Sequence, residues 1–213
     1  DVSALSGAFA APTFEQVGQY GVGEDSAAEI IASDGQILAY SNSDKGSIDF
    51  VSIIDPSNPT SITSVDVGGE PTSVAIHNGY AIAAINTSES FTNPSGYVAV
   101  IDLWDYQVVK EIVLAGQPDA VAISPNGKFA AVAIENERDE DLNDGLIPQY
   151  PAGNVAIINL EGEVTYADVR GLAGIAPSDP EPEFVDINDK GEIVVTLQEN
   201  NHLVVLDSSG NVI

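Results

Sequence analysis

Carboxylates are the residues of this chain whose type and spacing could do chemistry. The segment ENERDEDLNDG is rich in oxygen donors, and six of them are candidate metal ligands: Glu135, Glu137, Asp139, Asp141, Asn143 and Asp144. Carboxylate and amide oxygens are the ligands that calcium prefers in proteins. Carboxylates at short range also repel one another unless a cation lies among them. The segment therefore predicts a calcium site.

The same segment departs from the best-known calcium loop in two ways. From Asp139 it reads D-x-D-x-N-D-G, which puts Gly145 one place late. Tyr150 stands where the bidentate glutamate of such a loop belongs. An acidic loop that is only hydrated therefore remains an open alternative to a metal site.

A second set of carboxylates stands where one apolar unit of the chain gives way to the next. Glu29, Asp119 and Glu183 each lie near the start of an apolar segment. Acids from different units can converge on cations that bind phosphate and activate water, as in metal-dependent phosphoesterases. These three are the predicted catalytic residues if the chain is an enzyme. The chain shows no G-x-S-x-G motif, phosphate-binding glycine loop or Ser/His/Asp order.

The elements that must position these acids form a repeat. Turn glycines between a first and a second apolar strand recur at Gly35, Gly79, Gly127 and Gly191. Third strands end at Asp55, Asp102, Asn159 and Asp207, at intervals of 47, 57 and 48 residues. A period of roughly 40 to 50 residues with four strands per unit is typical of propeller blades. We predict an all-β propeller of four-stranded antiparallel blades, with a sandwich of short strands as the alternative.

The two ends of the repeat array are predicted to be atypical. Residues 1–12 form a lead without periodicity, and Thr13 to Tyr20 reads as a lone strand that could close a ring. Blades are predicted at about 24–69, 70–116 and 117–181, with an incomplete one at 182–213. The chain is either a four-bladed ring or part of a larger ring that a further segment or a second chain completes. The second arrangement is favoured, because SSGNVI already begins a fourth strand.

Polar residues that recur at the strand ends are predicted to be structural. Asp55, Asp102 and Asp207 are expected to cap turns through their side chains. The same chemistry is expected of the asparagines that follow second strands, which are Asn42, Asn86, Asn136 and Asn200. His77 and His202 lack a partner at metal-ligand spacing.

Composition narrows the class of partner and the compartment. The chain has 33 acidic and 6 basic residues, a formal charge of −27, and 44% hydrophobic residues in regular alternation, so it is a folded acidic domain. Such a charge disfavours nucleic acid and anionic membranes as partners. No disulfide is possible without cysteine, and no apolar run is long enough to span a membrane. Acidity and a start at Asp1 fit a processed protein outside the cytoplasm, either extracellular, periplasmic or on the cell surface.

Loop length distinguishes the two ends of the predicted blades. In an antiparallel meander, the loops between second and third strands emerge on the same side as the connections between blades. All long or acidic loops belong to that set, whereas the remaining loops, such as HNG and SPNG, are short. We therefore expect function at the acidic end of the blades.

Several stretches resemble a known family. PDAVAISPNGK at 118–128 is similar to YVTN-type propeller repeats, which implies a seven-bladed ring. EPEFVDINDKGEIVVTLQENNHLVVLD at 181–207 and PAGNVAIINLEG at 151–162 resemble the secreted bacterial choice-of-anchor I proteins. The resemblance extends to phytase-like and alkaline-phosphatase-like propellers. It implies two candidate functions: a calcium-stabilised module that binds a partner or ligand or serves as a scaffold, and a calcium-dependent phosphoesterase.

Overall fold

The computed structural model describes residues 13–213 and is built from β-strands. Two single 3-10 turns, Ser43–Lys45 and Asn143–Gly145, are its only helical pieces within these residues. The strands, in chain order, are β1 (Ala28–Ser33), β2 (Ile37–Asn42), β3 (Ser47–Ser52), β4 (Thr60–Asp66), β5 (Glu70–His77), β6 (Tyr80–Asn86), β7 (Gly96–Asp102), β8 (Gln107–Leu114), β9 (Pro118–Ile123), β10 (Phe129–Ile134), β11 (Asn154–Asn159), β12 (Val164–Ala167), β13 (Pro182–Ile187), β14 (Ile193–Leu197) and β15 (His202–Leu206).

The strands form four antiparallel sheets in which every strand pairs with its neighbour in the chain. Sheet 1 is β1 to β4, sheet 2 is β5 to β8, sheet 3 is β9 to β12, and sheet 4 is β13 to β15. A bridge between Leu206 and Val212 continues sheet 4 beyond its third strand. The predicted all-β fold of four-stranded antiparallel meanders is confirmed for sheets 1 to 3. The N-terminal lead predicted at 1–12 lies outside the described residues.

The turns follow the predicted chemistry. Gly79 and Gly127 adopt φ of 79° and 68°, a left-handed conformation that favours glycine, between the first and second strands of sheets 2 and 3. In the turn between the third and fourth strands of sheet 2, Asp102 Oδ1 accepts a hydrogen bond of 2.8 Å from the Trp104 N–H. Asp55 and Asp207 accept equivalent bonds from the backbone two residues further on. The aspartates that end third strands therefore cap turns, as predicted.

Neighbouring sheets pack face to face through three hydrophobic clusters. One lies between sheets 1 and 2, one between sheets 2 and 3, and one between sheets 3 and 4. Side chains alternate between these clusters along each strand: Ala83 packs towards sheet 1 and Ala84 towards sheet 3. The first strands are in contact in sequence, β1 with β5, β5 with β9 and β9 with β13. The four sheets thus form a row with their first strands side by side.

The two outermost faces of this row differ from the inner ones. On sheet 4, Phe184 and Leu203 point away from sheet 3 and are 56% and 63% exposed. On sheet 1, Ile31 points away from sheet 2 and is 62% exposed. Apolar side chains are therefore left without a neighbouring sheet at both ends of the row.

The segment predicted as a closing strand, Thr13 to Tyr20, forms no strand in the structure. Residues 18–22 instead line a cavity together with the outward face of sheet 1. Gly18 lies so close to the Pro56 carbonyl and the Pro59 ring that a side chain there would collide with them. Proline has no N–H to donate, so this contact cannot become a ladder of strand hydrogen bonds. No helix in residues 13–213 is long and apolar enough to cross a membrane.

Candidate metal centre between two sheets

Three carboxylates converge at the junction of sheets 3 and 4. Asp119 is the second residue of β9, Glu135 follows the last residue of β10, and Glu183 is the second residue of β13. One oxygen from each lies within 4.8 Å of the others, and all three side chains are partly buried. Oxygens bound to one calcium ion at 2.3–2.6 Å are at most about 5 Å apart. This group is therefore compact enough to share one cation.

A repeated β-bulge directs two of these side chains to the junction. In sheet 3 the register shifts between Pro118 and Ala120, which leaves Asp119 as the extra residue. In sheet 4 the same shift leaves Glu183 between Pro182 and Phe184. A bulge re-aims the side chain of its extra residue, and bulges are common beside active sites. Adjacent sheets thus present equivalent acids to the same space.

The equivalent positions in sheets 1 and 2 carry no acid. In sheet 3, Asp119 directly precedes the first residue that pairs again after the bulge. The residue in that place is Thr72 in sheet 2 and Ile30 in sheet 1. Glu29 stands one residue earlier, where the other sheets have proline. Its carboxylate accepts a hydrogen bond of 2.7 Å from Ser43 Oγ in its own sheet. The structure does not bring Glu29 together with Asp119 and Glu183.

Burial and mutual repulsion disfavour the charged forms of these acids. Burial raises the pKa of Asp119 to about 7, and the charges of Glu183 and Glu137 act in the same direction. Burial likewise raises the pKa of Glu135 to about 9, with further contributions from Asp119 and Glu183. A divalent cation among the three would remove the repulsion that opposes ionisation.

A second group of acidic residues lies beside the first, and its charges are already paired with Arg138. Arg138 Nη1 lies 3.2 Å from Glu181 and 3.1 Å from Glu199, and its Nη2 lies 3.5 Å from Glu140. Burial nevertheless raises the pKa of Glu181 to about 7, partly offset by Arg138. Arg138 is thus committed to holding loop 135–153 against sheet 4, and it is not free to bind an anion.

Of the loop residues predicted as calcium ligands, only Glu135 belongs to this group, although the charge of Glu137 also acts on Asp119 and Glu135. Glu137 accepts a hydrogen bond from Gln117 Nε2, and Asp139 accepts one from the Asp141 N–H. Asn143 and Asp144 are exposed and adopt φ of 53° and 58°. Among the described residues these loop side chains form no group with metal-ligand spacing. The signal that links Glu135 to Asp119 and Glu183 is their shared place at strand ends, not their order in the chain.

Two of the recurring asparagines fix the backbone at this junction. Asn136 Oδ1 accepts the Gln117 N–H at 2.8 Å, and Asn200 Oδ1 accepts the Glu181 N–H at 2.9 Å. Each asparagine follows a second strand and ties down the residue that precedes the first strand of the same sheet. Asn200 Nδ2 also donates to the Asp179 carbonyl. The asparagines therefore hold the strand starts that carry Asp119 and Glu183.

Comparison with known proteins identifies the family of this fold. A model of the choice-of-anchor I domain matches residues 28–174, more than half of the chain. The chain therefore belongs to the choice-of-anchor I domain family, a family of surface domains in secreted proteins. No curated protein matches the sequence.

Many solved structures resemble the chain, among them the following two. Hydrazine synthase of Kuenenia stuttgartiensis matches with a TM-score of 0.50 and 17% identity, over 85% of this chain and 64% of that one. The computationally designed Ika4 protein matches with a TM-score of 0.58 and 14% identity, over 92% of this chain and 99% of that one. At these identities the likeness shows the fold alone.

Proposed function

We propose that the four sheets are consecutive blades of a β-propeller in a secreted or surface protein, and that this propeller is a binding or scaffold module stabilised by calcium. The propeller assignment is supported by the row of meanders whose first strands lie side by side. The location is supported by membership of the choice-of-anchor I family. The observation that carries the calcium assignment is the convergence of Asp119, Glu135 and Glu183 at the junction of sheets 3 and 4.

The outward apolar faces support a ring larger than these four sheets. Ile31 at one end of the row and Phe184 and Leu203 at the other are exposed where inner sheets have a packed neighbour. An exposed apolar face of this kind is a place where another element packs. We assign that role to further blades, from the same protein or from a second chain.

Calcium suits the junction better than a softer metal. All three candidate ligands are carboxylates, and calcium accepts six to eight oxygens in a flexible arrangement that water and backbone carbonyls can complete. Thiolate or imidazole ligands, which zinc and copper favour, are not part of this group. The protein would supply a partly buried site whose carboxylates are neutralised by the bound ion instead of by protons.

Calcium binding can be assigned to the junction or to the loop by two matched double variants. Asp119→Asn with Glu183→Gln removes two junction charges, and Asp139→Asn with Asp141→Asn removes two loop charges. At a hundredfold excess over Kd, calcium should stabilise the wild type by about 2.7 kcal/mol. We expect thermal unfolding of chelator-treated protein to show this gain in the wild type and the loop variant but not in the junction variant. The proposal fails if the junction variant responds to calcium as the wild type does.

A metal-dependent phosphoesterase is the second candidate. It is favoured by one observation, which is that the converging acids come from two different sheets, as a rigid metal site requires. Both arginines near the acidic loops are engaged, Arg138 by Glu181 and Glu199 and Arg170 by Asp168. Assays of calcium-loaded protein with phosphomonoesters distinguish the two candidates. Turnover that is lost in Asp119→Asn and in Glu183→Gln supports the phosphoesterase. Rates no higher than background support the binding or scaffold module.

A further inference from the structure

A second candidate site lies between sheets 2 and 3, at the end of the sheets opposite to the carboxylate junction. It is a cavity of about 380 Å³. Its walls are mainly aliphatic and include Ile82, Val98, Ile112 and Ile158. The short turns around Asn78, Gly127 and Leu160 surround its opening. The volume falls at the lower end of the range for small-molecule sites, about 300–1,000 Å³.

The cluster between sheets 2 and 3, which lies beside the cavity, is built from small and medium side chains. Its members are only Ala, Val, Ile and Leu. Between sheets 1 and 2, by contrast, Phe50 and Tyr106 pack with their ring centroids 5.0 Å apart. Among the described residues, the cluster beside the cavity thus includes no aromatic ring.

Two basic side chains line this mainly aliphatic cavity. Lys110 and His77 line it, in a chain with only 6 Lys and Arg and 2 His. Lys110 Nζ donates to the Glu161 carbonyl, and no Asp or Glu oxygen within residues 13–213 lies at salt-bridge distance from it. The ring of His77 has no hydrogen-bond partner in the described part of the chain. Both groups therefore retain capacity to bind an anion.

Glycines allow these two side chains to lie where they do. A Cβ on Gly162 would collide with the Lys110 amine, and a Cβ on Gly127 would collide with the His77 ring. Both glycines have positive φ, 82° and 68°. The turns that contain Gly127 and Gly162 thus connect consecutive strands and also contact the two basic side chains.

We propose that this cavity binds a small amphipathic organic anion, with its apolar body between sheets 2 and 3 and its carboxylate or sulfonate head at Lys110. The aliphatic walls supply affinity by burying apolar surface. The ammonium group of Lys110 supplies a charge-assisted hydrogen bond. The formal charge of −27 repels anions from the rest of the molecule, so the ammonium group of Lys110 determines where the charged head of such a ligand binds.

Two probes of similar shape test the proposal. The first is 8-anilinonaphthalene-1-sulfonate, an amphipathic anion, and the second is N-phenyl-1-naphthylamine, its uncharged counterpart. Both report binding by fluorescence. We expect Lys110→Gln to weaken binding of the sulfonate roughly tenfold, the magnitude of one hydrogen bond to a charged group. Binding of the uncharged probe should not change, and Lys190→Gln, the same change on an exposed turn of sheet 4, should affect neither probe.

A filling variant tests the apolar part of the site separately. Val100→Phe places a larger side chain in the cavity wall and should weaken both probes. The proposal is overturned if the wild type binds no sulfonate probe, if Lys110→Gln binds it as tightly as the wild type, or if Lys110→Gln weakens both probes equally. Chelator should leave these results unchanged, because the cavity and the carboxylate junction lie at opposite ends of the sheets.

Discussion

At the scale of single residues, the behaviour of Asp119 and Glu135 follows from their burial and from each other's charge. Their pKa values of about 7 and about 9 mean that the metal-free protein holds protons there that the unfolded chain would release. Protons and a divalent cation are therefore alternative ways to neutralise the same junction. Asp49 in sheet 1 shows the opposite case, because hydrogen bonds from Ser64 and Asn42 lower its pKa despite burial.

These shifts predict that stability depends on pH in the metal-free protein and that calcium weakens this dependence. A carboxylate with a raised folded pKa stabilises the fold most below its unfolded pKa, and the contribution is lost as pH rises through the folded value. In chelator, the melting temperature should therefore fall between pH 5 and pH 8 as Asp119 loses its proton. The gain on adding calcium should rise over the same interval, because protons compete with the ion. A calcium effect that is independent of pH would contradict competition at these groups.

The sequence predicts all three junction acids as functional residues, but in two separate sets. Asp119 and Glu183 belong to the candidate catalytic acids, and Glu135 belongs to the candidate calcium ligands of the acidic loop. Asp119 and Glu183 were recognisable from their place at the start of apolar segments. Glu135 was assigned to the acidic loop, because adjacency in the chain is visible and proximity between strand ends is not. Glu29 was grouped with Asp119 because a shift of one residue at the bulge, which sends the side chain elsewhere, leaves no mark in the sequence.

At the scale of secondary-structure elements, the junction depends on buried asparagines that fix the strand starts. Asn200 is 2% exposed, and its amide donates to the carbonyls of Ile175, Ala176 and Asp179. Its Oδ1 accepts the Glu181 N–H. One side chain thus satisfies several backbone groups of residues 175–181, including those of the buried Asp179 and Glu181.

Removal of the Asn200 side chain should lower the stability of the fold. Asn200→Ala removes the hydrogen-bond partner of the Asp179 carbonyl and of the Glu181 N–H, which belong to buried residues, and we expect a loss of about 2–3 kcal/mol in the free energy of unfolding. Asn58→Ala is the matched control, because Asn58 is exposed and its side chain makes no hydrogen bond in the described residues. Urea unfolding measures both. Equal, small effects for the two variants would show that the asparagine tie contributes little.

The sequence predicted the meanders well and the N-terminal segment poorly. Turn glycines and capping aspartates are local signals, and each acts within a few residues of itself. The segment Thr13 to Tyr20 has a strand-like composition, but its structure depends on what lies beside it. Beside Gly18 are Pro56 and Pro59, which offer no strand edge. No local pattern in the segment could indicate that contact.

At the scale of the whole molecule, the two ends of the strands carry different sites, and the two end faces of the row of sheets lack a neighbouring sheet. Carboxylates converge at one end of the strands, and the cavity with Lys110 and His77 lies at the other. Across the row, the outward faces of sheets 1 and 4 expose apolar side chains. The composition of strands predicts burial, but it does not specify which further element covers an end face.

The open face of sheet 4 predicts self-association of the isolated chain. Phe184→Ser with Leu203→Ser should reduce the apparent mass measured by light scattering at high concentration, because the exposed apolar area decreases. Val113→Ser is the control, since Val113 is 78% exposed on strand β8 and lies away from that face. Unchanged association in the double variant, or an equal decrease in the control, would contradict an adhesive end face.

The position of a bound ion tests the central claim most directly. Crystals of the protein grown with calcium, or with manganese in its place, would show the ion in an anomalous difference map. We predict a peak at 2.0–2.6 Å from carboxylate oxygens of Asp119, Glu135 and Glu183. A map with no peak at this junction, or with its peak on Asp139 and Asp141 alone, would contradict a metal centre between the two sheets.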